Sequence, residues 1–363
     1  MSSIWNNRIS ISIFGEADGP AIGVTIDNLP SGEHIDADEI TKFLARRTGG
    51  YSSQSWESST PHVMSGIFND KTTGAPLCAF IQNEPSQEPV YEPDENEVLI
   101  RPGHADYTGA VRYRGFNDFR NSGHFSEKLT APLCFAGAVC GQILERRGIY
   151  TGAHILQLHE VKDNPFDPVN ITRDGIRSIR EKIFPVINDS KGWAMGDAIE
   201  KAYEQGESLG GVVECAAINV PAGIGSPIFD GLENNIAQLM FGIPGVMGLE
   251  FGSGFSSAQM MGSQNNDDFY LDEHGHVLTR TNNHGGILGG ISSGMPVVMR
   301  VAFKPSPSVA KLEGTVNTRS MTEETADNSN GHIPCTVPSA VPCVEAAVNI
   351  ALLSHMIDYP NFC

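Results

Sequence analysis

The sequence predicts one α+β domain over residues 1–363, with strands in clusters and long helices between them. Three observations predict it. Short alternating or β-branched runs come in groups, at 9–13 and 22–26, at 63–67 and 77–81, and at 212–220 and 297–303. Helical runs separate the groups, and the run at 131–147, APLCFAGAVCGQILERR, is apolar on most sides until its charged end. No repeat with a period of about 20–50 residues recurs, and no Pro/Ser linker divides the chain.

Forty per cent of the 363 residues are apolar, enough for a sizeable core. Lys plus Arg is 24 and Asp plus Glu 43, a net charge of −19. That charge argues against a nucleic-acid partner or an anionic membrane surface. Any polyanionic ligand must be held by local cations against the global field. The 7 cysteines are widely spaced without a CxxC pair, so no metal or thioredoxin-like site is expected. Several lie in apolar runs, where a free cysteine acts as a small buried hydrophobe. The start, MSSIWNNRISISIFG, has no basic stretch followed by an apolar one, and no run of about 18 apolar residues follows. A reduced, cytoplasmic, soluble protein is the expectation.

Taken in order, strand 9–13 runs into a turn at 14–20, and strand 22–26 closes at 28–32. Asp36 and Asp38 offer N-caps to a helix reaching about Arg47, ended by Thr48, Gly49 and Gly50. Arg46 and Arg47 either complement that helix's dipole or serve as ligand cations. Residues 51–61 read as a Ser/Thr-rich loop. Strands 63–67 and 77–81 are joined by a turn at 69–74, and 83–97 is an acidic, proline-bearing surface loop. A short apolar strand, 98–100, leads into Arg101-Pro102-Gly103-His104-Ala105-Asp106-Tyr107-Thr108. A histidine near an aspartate in a Gly/Pro loop fits an acid–base site, and equally an ordinary polar loop. Residues 121–126, NSGHFS, form a second candidate loop. Thr172 or Asp174 caps a helix over 176–184 that stops before Pro185, and 194–205 reads as another. Strand 212–220 carries Glu214. Helix 228–243 ends before Pro244 and Gly245. Residues 252–269 show little periodicity. A closing helix spans 344–356, with Pro338 and Pro342 ahead of its start.

The stretch 281–308, TNNHGGILGGISSGMPVVMRVAFKPSPS, combines a Gly-rich loop, a β-branched strand and a Lys-Pro-Ser-Pro-Ser end. Glycine lets backbone N–H groups approach a ligand, and the prolines fix the turn. It fits a phosphate or cofactor cradle, or a Gly-rich hairpin beside an edge strand. Neither a dinucleotide fingerprint nor a P-loop is present.

At this point longer motifs carry a resemblance. FGEADGPAIGVTIDNLPSG at 14–32, KTTGAPL at 71–77, RPGHADYT at 101–108 and HFSEKLTAPLCFAGA at 124–138 come in order. PAGIGSPIFD, GSQNNDDF, TNNHGGILGGISSGMP, FKPSPS and IPCTVPSAVPCVEA follow. Together they resemble the chorismate synthase family along nearly the whole chain. The resemblance implies a sandwich of antiparallel sheets around a helical core, assembled as a homotetramer. It implies reduced FMN as cofactor and 1,4-elimination of phosphate from 5-enolpyruvylshikimate 3-phosphate, giving chorismate without net redox change. The partners it implies are a small anionic carbocyclic substrate and a flavin reductase as a possible source of electrons. On the same ground His124, Phe125, Ser126, Pro244, Gly245, Gly289, Lys304, Pro305, Ser306, Pro307 and Ser308 would surround the flavin. His104 stands where the family has one of its two catalytic histidines, with Asp106 beside it, and Arg47, Arg101 and Lys128 remain as candidate substrate cations.

Several positions depart from the family pattern. Asp18 stands where the family has a histidine, an exchange that lowers the ordinary pKa by about 2.5 units. Residues 48–54 lack the usual basic stretch. Asn121, Ser122 and Gly123 replace three glycines, and Glu127-Lys128 replaces a small residue and an arginine. Gly331 and Ile333 stand for an arginine and a catalytic aspartate, and Ser339 for a further arginine. The family substrate carries about four negative charges. Losing about four charge-assisted contacts of roughly 1.5–3 kcal/mol each removes on the order of 6–12 kcal/mol of gross binding, not additively. Two functions compete. One is an FMN-dependent lyase, with Asp18 and His332 covering for lost groups or with a related, less anionic cyclohexene carboxylate as substrate. The alternative is an inactive flavin-binding paralogue that partners or regulates a true family member.

Overall fold

A computed structural model describes residues 3–48, 60–83, 99–327 and 331–359. The loops expected at 51–61 and 83–97 lie almost wholly outside these, and the strand expected at 98–100 lies partly outside.

In chain order the main elements are β1 (Ile4–Asn6), β2 (Ser10–Gly15), β3 (Ala21–Asp27), α1 (Ala37–Ala45), β4 (His62–Ser65), β5 (Leu77–Gln82) and α2 (Asp106–Tyr113). Next come α3 (Thr130–Arg146), β6 (Tyr150–Leu158), β7 (Val161–Lys162), α4 (Arg173–Arg180), α5 (Asp189–Glu204) and β8 (Gly211–Ile218). The chain closes with α6 (Leu232–Met240), β9 (Val246–Phe251), β10 (Val297–Phe303), β11 (Leu312–Asn317), β12 (Thr322–Asp327) and α7 (Val337–Met356). Short two-stranded hairpins punctuate the loops.

Two five-stranded antiparallel sheets enclose a pair of buried helices. The first has the order β1-β2-β3-β5-β4 and the second β9-β10-β8-β6-β7. On the two inner strands of the first sheet alternate side chains are buried: Ile22, Val24 and Ile26 on β3, and Leu77, Ala79 and Ile81 on β5. This one-sided alternation places that sheet against α3. The second sheet is covered on both faces. Helix α7 lies on one, and α4 covers the other with Ile176 and Ile179. Its central strands are therefore largely apolar, with the buried Glu214 of β8 accepting from Arg300 of β10 at 3.0 Å.

Helix α3 is buried without a break from 130 to 141, and α7 from 340 to 356. α7 is long and apolar enough to cross a membrane, yet it is wrapped by protein as the core helix. The two helices touch backbone to backbone. A methyl at Gly137 would lie 2.2 Å from Cβ of Ala346 and 2.3 Å from its Cα. Gly137→Ala is therefore expected to lower the unfolding free energy by about 1–3 kcal/mol. A urea midpoint equal to wild type would show that the helices part freely.

Local chemistry explains most element ends. Asp36 caps α1, accepting from the N–H groups of Asp38 and Glu39. Thr172, not Asp174, caps α4 through the N–H of Gly175 at 3.1 Å. Asn188 caps α5, which starts earlier than expected from periodicity. Helix α6 is shorter than the expected 228–243, because Ile228 has φ +61° and Gly231 is extended. Pro338 and Pro342 do not precede the last helix but lie inside it. The ladder bond missing at Pro342 weakens α7 locally, and burial on all sides holds it.

Strands β1, β6, β7, β9, β11 and β12 were not expected. β6 has no alternation to read, since both its faces are covered. β9 follows the Pro244-Gly245 turn as an edge strand containing Gly248. The β11–β12 ribbon is polar and largely exposed. Cys134, Cys140, Cys215 and Cys343 are buried free thiols, as their apolar surroundings imply.

Candidate functional site

One cavity of about 1120 Å³ opens where β1 and β2 meet the loops at 101–105, 121–130, 241–246, 304–308 and 331–336. It gathers His104, His124, Phe125, Ser126, Pro244, Gly245, Lys304, Pro305, Ser306, Pro307 and Ser308 into one lining. Arg101 and Lys128 line it as well.

The fold builds this lining by tying distant loops together. The β11–β12 ribbon fixes Ile100: its N–H donates to the Val316 carbonyl at 3.3 Å, and the Thr315 hydroxyl donates to its carbonyl. Arg101 then turns onto Asp106, whose Oδ2 and Oδ1 accept from Nε at 2.8 Å and Nη2 at 2.9 Å. Burial alone would raise the Asp106 pKa, but the Arg101 hydrogen bonds and charge outweigh it and hold the carboxyl below its usual range. Asp106 opens α2 and does not line the cavity. Its geometry is that of a brace for Arg101.

Gly103, at φ +71°, lies so close to the 304–308 turn that an added Cβ would be 2.7 Å from Cβ of Pro307. Lys304 Nζ donates to the Gly103 carbonyl at 2.8 Å, and its backbone N–H donates to Gly245 at 2.9 Å. Three loops are thereby stitched at one lysine. His104 Nδ1 is 3.0 Å from the Pro102 carbonyl and Nε2 is 3.3 Å from the Ser308 hydroxyl. Burial, then the Arg101 charge, lowers the His104 pKa below its ordinary value. The ring is neutral near pH 7, with Nδ1–H donating to Pro102 and Nε2 accepting from Ser308.

His124 Nδ1 donates to the Gly15 carbonyl at 2.7 Å, which leaves Nε2 to accept from the Ser3 hydroxyl. The residues before it are unusual. Asn121, Ser122 and Gly123 all have positive φ, at 45°, 67° and 51°. Gly123 has no room for a Cβ, which would lie 1.9 Å from the Asp118 carbonyl oxygen. Asn121 and Ser122 hold left-handed backbone through side-chain bonds. Asn121 donates to Asp18 at 2.6 Å, and Ser122 accepts from Arg101 at 3.0 Å.

Other expected residues lie elsewhere. Asp18 is outside the lining, held by Asn121 with Lys128 Nζ 3.7 Å away. Arg47 does not line the cavity; it donates to the Thr130 hydroxyl at 2.6 Å and the Glu127 carbonyl at 3.3 Å. His332 bonds the Glu207 carbonyl at 2.8 Å and stacks on Tyr203, while its neighbours Gly331 and Ile333 face the cavity. Gly289 sits in the turn between Ile287–Leu288 and Ile291–Ser292, away from this lining. The Gly-rich stretch is thus a hairpin, whereas the turn after β10 lines the cavity. Sequence reading missed the apolar wall of Ile4 and Trp5, because a three-residue strand carries no readable period. Gln238 was also missed, hidden in the apolar pattern of α6.

The lining suits a flat aromatic ligand carrying an anion. An apolar wall of Trp5, Ile11, Ile13 and Leu133 faces the hydroxyls of Ser126, Ser306 and Ser308 and the cations Arg101, Lys128 and Lys304. The close approach at Gly103 and the positive φ of Gly245, +85°, keep the backbone free of side chains there. These features fit FMN.

Comparison with known proteins agrees with this geometry. The family model described as chorismate synthase matches residues 9–357. The chain is 40% identical over 359 residues to chorismate synthase of Korarchaeum cryptofilum, covering 98% of this chain and 97% of that protein. It is 41% identical over 362 residues to chorismate synthase of Dehalococcoides mccartyi strain BAV1, covering 97% and 96%. A crystal structure of chorismate synthase superposes with a TM-score of 0.77 at 27% identity, over 97% of this chain and 93% of that one.

Proposed function

The chain belongs to the chorismate synthase family, and on that premise we propose that it is a reduced-FMN-dependent lyase acting on a cyclohexene carboxylate in this cavity. The observation that carries the reading is the convergence of His104, His124–Ser126, Pro244, Gly245 and the 304–308 turn on one lining. Lys304, Ser306, Ser308, Pro244, Gly245, Phe125 and Ser126 would hold the flavin. When bound, reduced FMN supplies transient electron density and a basic nitrogen for the departing proton, so the reaction is redox-neutral.

The chain's own residues bind, orient and exclude water. Arg101, braced by Asp106, meets a substrate anion in a partly dry site, where a charge-assisted contact is strongest. His104 presents a neutral Nε2 able to accept a proton, its tautomer set by Pro102. His124 is oriented by Gly15 and Ser3. Ile4, Trp5 and Leu133 keep water from the reacting carbons.

Gly331 and Ile333 contribute no charge to the lining, and Arg47 is directed at Thr130. This favours a substrate less anionic than 5-enolpyruvylshikimate 3-phosphate. The enzyme reading is preferred over an inactive flavin-binding partner because Lys304, His104 and Arg101 remain assembled around the cavity. A homotetramer in the cytoplasm, with a flavin reductase supplying electrons, belongs to the same proposal. Anaerobic titration with dithionite-reduced FMN tests it: saturable flavin binding supports the reading, and its absence overturns it.

A further inference from the structure

Among the described residues that line the cavity, one is acidic and is not used by the reading above. Glu127 lines it at the start of a short turn, Glu127–Leu129, which Ser126 caps. The Glu127 carbonyl is occupied, accepting from Arg47 at 3.3 Å and from the Thr130 hydroxyl at 2.6 Å. Its carboxyl has no hydrogen bond or ion pair among the described residues. Glu127 is thus a half-buried residue of the cavity lining whose carboxyl has no protein partner among the described residues, and it can meet a ligand there.

We propose that Glu127 is a specificity-determining residue for the lyase reaction: its carboxyl meets the substrate, disfavouring a phosphate dianion and favouring a hydroxyl or monoanionic group at that place. The proposal rests on the flavin-dependent lyase reading and names the substrate class for it. A neutral carboxylic acid donates one hydrogen bond to such a group. An ionised one repels a dianion across a low-dielectric cavity.

The surroundings bear on which form is present. Burial pushes the Glu127 carboxyl up, and the charge of Arg47 behind it opposes this only in part. Lys128 is turned to the Ala17 carbonyl and Asp18. Arg101 is paired with Asp106, and His104 is neutral near pH 7. His124 is held by Gly15 and Ser3, and Lys304 by Gly103.

The test is calorimetric binding of 5-enolpyruvylshikimate 3-phosphate at pH 5.5 and pH 8 to wild type, Glu127→Gln and Glu127→Ala, each with and without FMN. At pH 8 both variants are expected to bind this polyanion about 10–100-fold more tightly than wild type. Because burial raises the Glu127 carboxyl above its ordinary range, wild-type affinity should fall further from pH 5.5 to pH 8 than that of Glu127→Gln, which keeps the shape and a donor but cannot ionise. Parallel pH profiles, unchanged affinity in both variants, or no binding by any of the three proteins would overturn the assignment. Flavin binding is read separately in the same samples, so its failure would count against the lyase reading rather than against Glu127.

Discussion

Lys304→Ala is expected to weaken reduced-FMN binding by about 10–100-fold, the loss of one charge-assisted contact of roughly 1.5–3 kcal/mol. The effect is large because Lys304 has two jobs. Its ammonium is a cavity cation in a chain of net charge −19, where little else offsets the field. The same nitrogen ties the Gly103 carbonyl to the 304–308 turn. The backbone bond from residue 304 to Gly245 survives the substitution, so the turn itself should stay in place. Lys304→Arg keeps the charge and should lose much less. Equal affinity for wild type and Lys304→Ala would remove the turn after β10 from the flavin site.

Glu345→Ala should cost about 3–5 kcal/mol of stability, the usual result of deleting one member of a buried ion cluster. Glu345 lies in the middle of α7 and is fully buried. It accepts from Arg46 at 2.7 and 2.6 Å and from the Ala153 N–H at 3.0 Å, with Arg180 Nε 3.3 Å away. One carboxylate thus joins the end of α1, α4 and β6 to the core helix. Removing it takes the carboxylate from Arg46 and leaves Arg180 only its pair with Glu145 at 2.6 Å and its bond to the Thr151 carbonyl.

The sign with pH follows from the same contacts. Burial alone would raise the Glu345 pKa, but the charges and hydrogen bonds of Arg46 and Arg180 outweigh it, and the folded value lies below the ordinary one. The unfolded chain therefore binds this proton first. The stabilisation is complete above the ordinary carboxylate range, near pH 4.5, and is lost as pH falls through the depressed folded value. Denaturant midpoints measured from pH 7 down to pH 3 should converge for wild type and Glu345→Ala. A constant gap would show that the cluster contributes through packing rather than charge.

What was legible in the sequence depended on how many faces an element exposes. Strand 9–13, ISISI, shows its alternation because the first sheet is covered on one side. β6, covered on both, shows none. Asp36 and Thr172 announced their helices through cap chemistry. The start of α7 was misplaced because Pro338 and Pro342 read as boundaries, whereas the first belongs to its opening turn and the second is buried inside it. At the site, Lys304, Pro305, Ser306, Pro307 and Ser308 stood out as charge and turn chemistry after a strand. His332 looked available beside Gly331, but one residue changes the direction of a loop side chain. It stacks on Tyr203 while its neighbours face the cavity. Asp106 looked like an acid–base partner for His104. Its spacing from Arg101 instead closes a bidentate pair, and sequence proximity cannot tell these apart.

The measurement that tests the central claim most directly is an anaerobic turnover assay with dithionite-reduced FMN. It follows conjugated-diene absorbance from 5-enolpyruvylshikimate 3-phosphate and from its dephosphorylated relative. Diene formation that requires both the protein and reduced flavin, and that collapses in Lys304→Ala, is the predicted result. Flavin bound in the cavity with no diene from either compound would contradict a lyase and leave the inactive flavin-binding partner as the better account.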